Sequence, residues 1–390
     1  MSSRKRGMQK MPKAQPIKSI ESVASGAFSP LSRRRVLLGL GGSSALIGLS
    51  GCGGLSLTGD TELPPENAVG QAVLLAPLTG PRASLGQIML AAASLGGNAT
   101  GPGAEVEVVD AGDSPETAVA AAQKAMDGGA KMFLGPLFSG QSRAVTEAVG
   151  RGTPVVSLSN DSSIAGDNLF VFGITPQQSA KSILGFAATR GKRNVVTVVP
   201  PGPFGALSAQ AAQSVAAATG GTAPAAIVAS SAAGLIDKIR AANGGALPDA
   251  VYLPVVGGPF EEQAAAIKGA GIQLLGSEQW ASITPYRIDA LQDGWFAAPD
   301  PVRFEAFATA FTAFSETEAG VLGGLAFDAV EMARILGRIG QQNRKGLLRE
   351  AGFDGVVGPY RFQKDGQCAR GLAILSVTTG ANNLIGSTGA

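Results

Sequence analysis

From Gly70 onward the chain alternates short, wholly apolar runs with longer stretches of helical period. "GQAVLLAPL" reads as a buried strand, and "GQIMLAAASL" as a helix with Ile88, Met89, Ala92 and Leu95 on one face. "AEVEVVDA" is the next strand. The helix after it has Ser114 as N-cap, Pro115 at its first position, Glu116 in its first turn and Gly128-Gly129 beyond its end. "KMFLGPL", a helix from about Gly140 to Val149, and "TPVVSLS" continue the series. Strands that are apolar throughout and separated by helices predict an α/β fold of parallel sheets covered on both faces.

The same logic starts again after "LFVFGIT". "SAKSILGFAATRG", "GALSAQAAQSVAAATG", "LIDKIRAA" and "FEEQAAAIKGAG" read as helices between the strands "NVVTVVP", "TAPAAIVA", "PDAVYLPVV" and "IQLLGSEQW". Two tandem units predict two lobes with a ligand crevice between them, at the carboxyl ends of the strands. "GWFAAPD" reads as a crossover back to the first lobe. "RFEAFATAFTAF" then puts Phe304, Phe307, Phe311 and Phe314 on one stripe, read as core. "VLGGLAFDAVEMARILGRI" buries Leu322, Leu325, Ala329, Ala333 and Leu336, leaving Glu331 and Arg334 to pair on its outer face. "GPYRFQKDGQCARGLAILSV" reads as a hairpin with Asp365-Gly366 at the turn and Cys368 as a small structural residue.

The leading segment has another purpose. The apolar run from Val36 to Leu49 is shorter than the ~20 residues a membrane span needs. Three arginines precede it, and small residues and Cys52 follow, the order of an export signal. Leu49-Ser50-Gly51-Cys52 resembles a lipobox, which makes Cys52 the lipidation site; an ordinary cleavage site is the alternative. Ser32 to Leu37 resembles a twin-arginine motif, with a general secretory signal left open. Leu55 to Ala68, rich in Gly, Pro and polar residues, reads as a tether.

Removing residues 1–51 changes the electrostatics. The whole chain carries +2, but 22 basic and 28 acidic residues remain after Gly51, near −6. No basic excess is left to attract nucleic acid. The chain has no histidine, which removes Ser-His-Asp and Cys-His catalysis and the common zinc sites. No Walker-type phosphate loop is present, and no metal or cofactor is expected. A carboxylate pair could still do chemistry, but single acids such as Asp110, Asp161 and Glu278 are equally well explained as caps and loop polars. A non-enzymatic binding protein is the better default.

Several strings, "LLAPLTGPRASLGQ", "FLGPLFSGQS", "PVVSLSND", "PDAVYLPVVGGPFEEQAAAIKGAGI" and "FDGVVGPYRFQKDGQCARGLAIL", resemble the type I periplasmic solute-binding proteins of the leucine/isoleucine/valine-binding class. "GPLFSGQSRAV" and "TPVVSLSNDSSIAGDNLFVFGITP" further resemble the branch of penicillin-binding protein activators. The resemblance implies two hinged lobes, each a parallel sheet flanked by helices. Residues 1–51 are then an export signal, 52–68 a tether, 69–173 with 296–345 the N-terminal lobe, 174–295 with 346–378 the C-terminal lobe, and 379–390 a tail. Hinges fall near Gly173 and Ala297.

In amino-acid binders of this family the serine matching Ser139, beside Gly140 at a helix start, holds the ligand's carboxylate; the alternative is a plain N-cap. Asn160 and Asp161 stand where the family places further donors, though the Asp161 charge would repel a carboxylate unless it turns away. Phe204 occupies the place of a closing tyrosine, and Leu85 that of an aromatic. Glu278 matches the acid that receives the ligand's ammonium. The resemblance implies either capture of an amino acid or similar small polar solute for an ABC transporter, or regulation of a peptidoglycan synthase from a lipid anchor. The protein is then exported to the periplasmic side, and the lack of aspartate at Gly53 and Gly54 points to the outer membrane.

Overall fold

A computed structural model describes residues 72–97, 105–223 and 225–389 of the 390-residue chain. The expected signal and tether, Cys52 included, lie outside the described residues. The first sheet is built from β1 (Ala72–Ala76), α1 (Ala83–Gly97), β2 (Val106–Asp110), α2 (Pro115–Asp127), β3 (Met132–Leu134), α3 (Ser139–Val149), β4 (Val155–Ser157) and β5 (Leu169–Val171). Its strand order is β2-β1-β3-β4-β5, all parallel. β1, β3, β4 and β5 are buried along their whole length because helices cover both faces. Ser114 caps α2 as expected, its Oγ accepting from the Thr117 N–H, with Pro115 at the first position.

The second unit runs through α4 (Pro176–Thr189), β6 (Val195–Val199), α5 (Pro203–Ala218), β7 (Ile227–Val228), α6 (Leu235–Ala242), β8 (Ala250–Tyr252), α7 (Phe260–Gly269), β9 (Gln273–Gly276) and β10 (Trp295–Ala298). The chain returns to the first lobe through α8 (Pro301–Ser315) and α9 (Gly320–Arg338), which pack on α1, then α10 (Arg344–Leu347) and the hairpin β11 (Tyr360–Phe362) and β12 (Cys368–Arg370). It finishes on the second sheet with β13 (Ala373–Thr378) and β14 (Ala381–Ser387). The second sheet is ordered β14-β13-β10-β9-β8-β6-β7, with β13 antiparallel to β10 and to β14. The chain therefore passes between lobes three times, after β5, β10 and β12.

Several expectations need correction. "WFAA" is strand β10, parallel to β9, so the crossover follows it at 299–300. Residues 381–387 are no tail but an edge strand, held by backbone pairing with β13. The hairpin belongs with the first lobe: Phe362 and Tyr360 meet Phe170 and Phe172 edge-on at 5.5 and 4.7 Å, and the Val171 N–H donates to the Gly366 carbonyl at 2.8 Å. At Gly366, with φ +81°, a Cβ would lie 2.4 Å from the Leu169 carbonyl, so the turn can approach β5 only with glycine. Finally, Arg334 pairs with Glu331 but is itself buried, its Nη2 donating to the Ala93 carbonyl at 2.9 Å; the pair ties α9 to α1. In the phenylalanine stripe Phe307 and Phe311 are core, whereas Phe314 is exposed. Cys368 is buried, and burial pushes its thiol up to about 11, which keeps it unreactive.

Asp110 is a loop clamp. Burial would raise its pKa, but hydrogen bonds from Thr79 Oγ1 (2.7 Å) and from the N–H groups of Gly112, Leu78 and Thr79 hold it below the ordinary value. It fixes the turn between β1 and α1 that carries Leu85 to the cleft.

Candidate functional site

Between the lobes lies a cavity of about 630 Å³. Its floor is formed by the segments that follow β3, β4 and β9 at the carboxyl ends of their strands, and by Gly173 and Ile174 on the first crossing. The first lobe contributes Leu85, Leu137, Phe138, Phe304, Leu322 and Leu325, and the second contributes the 3-10 helix Glu278–Ile283 through Glu278, Gln279, Ala281 and Ser282. The wall is mostly aliphatic and aromatic carbon. Among the described residues no lysine or arginine lines it, and its side-chain polar groups are those of Ser159, Asn160, Glu278, Gln279 and Ser282. Gly173 is needed where the crossing passes the β4 loop, since a Cβ there would meet the Ser159 carbonyl at 2.3 Å.

Glu278 is the one acid in this wall among the described residues, and it is 8% exposed. Burial raises its pKa to about 7, against the opposing pull of hydrogen bonds from the Ser179 hydroxyl, its own N–H and Ser277. Ser179 Oγ donates to Oε2 from α4, so the carboxyl is held by the element that follows the first crossing. The Tyr252 hydroxyl, buried without a hydrogen-bond partner among the described residues, is kept neutral first by burial and then by the Glu278 charge. The loop itself is anchored by Trp280, whose Nε1 donates to the Leu253 carbonyl at 2.9 Å.

Of the residues singled out from sequence, Leu85, Asn160 and Glu278 line the cavity together. Ser139 and Gly140 open α3 directly after the lining residue Phe138, which itself occupies the N-cap position without a side-chain cap. The plain N-cap reading of Ser139 therefore fails, and the first N–H groups of α3 have no capping side chain. Asp161 turns to its own loop, where it accepts from the Ser163 N–H at 3.0 Å and hydroxyl at 2.6 Å, outside the cavity lining. Phe204, half-buried at the start of α5, is likewise outside it. The sequence reading missed Phe304, Leu322 and Leu325 as cavity wall, and also Arg82, whose guanidinium lies 4.3 Å over the Phe138 ring. An apolar helical stripe carries no mark that separates core from cleft.

A family model for periplasmic binding proteins matches residues 71–382. The chain belongs to the periplasmic binding protein family. As a periplasmic binding protein it shares its fold with a branched-chain amino acid ABC transporter periplasmic ligand-binding protein from Burkholderia xenovorans, at 14% identity and TM-score 0.67, covering 82% of this chain and 95% of that one. It is similar in the same way to an ABC transporter solute-binding protein from R. palustris in complex with benzoate, at 18% identity and TM-score 0.60, covering 82% and 96%. It is also similar to LpoA from Haemophilus influenzae, at 18% identity and TM-score 0.64, covering 82% of this chain and 59% of that one. The sequence has no significant match among curated proteins. No helix among the described residues of this periplasmic binding protein is long and apolar enough to cross a membrane.

Proposed function

We propose that this protein captures an amino acid with an apolar side chain and delivers it to an ABC-type permease. The observation that carries this reading is the make-up of the cleft: carbon walls around one buried carboxyl, next to an uncapped helix N-terminus. The ligand's side chain fills the space among Leu85, Phe138, Ile174, Leu322 and Leu325. Its ammonium meets Glu278, and its carboxylate meets the α3 N–H groups at Ser139 and Gly140, with Asn160 beside them. The more polar solute expected from sequence fits these walls less well. Titration calorimetry with L-leucine should give saturable heat at micromolar affinity, about −8 kcal/mol. Ala281 is exposed on the cavity wall, so Ala281→Trp should raise Kd at least tenfold while leaving the melting temperature unchanged. Silence toward leucine, other apolar amino acids and benzoate would overturn the reading.

The strings around Gly135–Val145 and Thr153–Pro176 favour a second reading, a lipoprotein that regulates a peptidoglycan synthase through its outer faces. Retention of a purified peptidoglycan synthase by a protein silent in calorimetry would support it. In both readings the chain is exported and anchored through lipid on Cys52, with 52–68 as tether. Cys52→Ser should move the protein from the membrane to the soluble fraction, and unchanged membrane partition would rule out the anchor.

A further inference from the structure

Serines inside helices commonly turn back on the carbonyl four residues earlier. Ser94, Ser142, Ser208 and Ser315 all do so, at 2.9 to 3.0 Å. Ser179, fully buried near the start of α4, does not: its N–H takes the Thr175 carbonyl, and its hydroxyl reaches across to Oε2 of Glu278, 99 residues further along the chain. The turn that carries it is fixed on both sides. Thr175, on the first crossing, caps α4; the Gln178 side chain accepts from the Thr175 N–H at 3.1 Å and donates to the Cys368 carbonyl of the hairpin. The Ser179 hydroxyl is therefore a donor whose aim is set by the fold.

Its place matters because the groups around Glu278 carry no charge. Ser277 stands beside it at the end of β9, Tyr252 on β8 feels its charge with a neutral hydroxyl, and the facing wall of the first lobe brings Ser159 and Asn160. Among the described residues no lysine or arginine lines the cavity, and Arg82, over the Phe138 ring, stands outside the lining. A buried carboxyl without a cation ionises only as far as its hydrogen bonds favour the charged form. Of the groups that favour it here, Ser179 contributes most, ahead of the Glu278 N–H and Ser277. Burial pulls the other way and is the stronger, which leaves the proton balanced near neutrality.

On the amino-acid reading of this cleft, on which this inference rests, we propose that Ser179 is the positioning residue that decides when Glu278 carries the charge an ammonium group needs. It acts through Glu278 and is not part of the cavity lining. The test has two arms on the full-length protein. In the first, without ligand, carbon-13 NMR follows the glutamate carboxyl signals through a pH titration, with Glu278→Gln marking the signal of Glu278. Ser179→Ala should move its midpoint from about 7 to about one pH unit higher. Ser179→Thr, which keeps the hydroxyl, should leave the midpoint in place. In the second, L-leucine is the calorimetric probe. Ser179→Ala should raise Kd about tenfold at pH 6, about fivefold at pH 7 and less than about twofold at pH 9, as the ionised fraction changes. An unmoved midpoint in Ser179→Ala, or a loss of leucine affinity equal at every pH, would overturn the role of Ser179 and leave the amino-acid reading standing. A midpoint that moves in a protein silent toward leucine would instead overturn the amino-acid reading and support the hold of Ser179 on the carboxyl.

Discussion

Trp280→Ala should cost about 4 kcal/mol of stability, the middle of the range for removing a large buried ring. The indole is fully buried, stacked on Phe296 at 5.8 Å and edge-on to Phe260 at 5.7 Å. Its slot exists because two neighbours are glycine: a Cβ on Gly276 would sit 2.3 Å from the ring, and one on Gly294 would sit 2.9 Å from it. Backbone at Gly276 and Gly294 limits how far the slot can collapse, and the Leu253 carbonyl loses its donor. The same ring holds the segment that presents Glu278, Gln279, Ala281 and Ser282 to the cleft. Leucine affinity should fall with stability. Chemical denaturation measures the first and calorimetry the second; a loss below about 1.5 kcal/mol would show that the slot collapses, contrary to its backbone walls.

Most of the architecture is legible in the sequence because burial on both faces forces wholly apolar strands such as "AVLLA" and "VVTVV", and because the cap at Ser114 is local chemistry. What escapes is what tertiary contact decides. "ANNLIGS", with two adjacent asparagines and no apolar alternation, becomes a strand only because β13 offers it an edge to pair with. The hairpin docks on the first lobe through aromatic contacts with β5 that no periodicity encodes, which also hides the third crossing. The site divides in the same way. Glu278, Asn160 and Leu85 could be placed by resemblance, but Phe304, Leu322 and Leu325 face a cavity with the same helical spacing that core residues show. Asp161 was open to either direction, and its own Ser163 decides it.

Glu278→Gln should make stability nearly independent of pH where the natural chain's stability falls. In the folded protein the carboxyl loses its proton near pH 7, against an ordinary value of 4.5. Between those values the folded state holds the proton that the unfolded chain has released, so stability is full below about 4.5 and declines as pH rises through 7. The decline amounts to about 3 kcal/mol. Glutamine keeps the shape of the protonated acid and still accepts from Ser179, so the variant should match the natural protein at pH 4 and exceed it by about 3 kcal/mol at pH 8. Parallel stability curves from pH 4 to 8 would show that the carboxyl is solvated. The ligand reads the same proton in the opposite sense. An ammonium group needs the ionised form, so leucine Kd should rise about tenfold from pH 8 to pH 6, as the ionised fraction falls by that factor. In Glu278→Gln the pH dependence should vanish with the affinity. Leucine binding that ignores pH in the natural protein would remove the ammonium from Glu278 while leaving the burial of the carboxyl intact, since the two effects are measured separately.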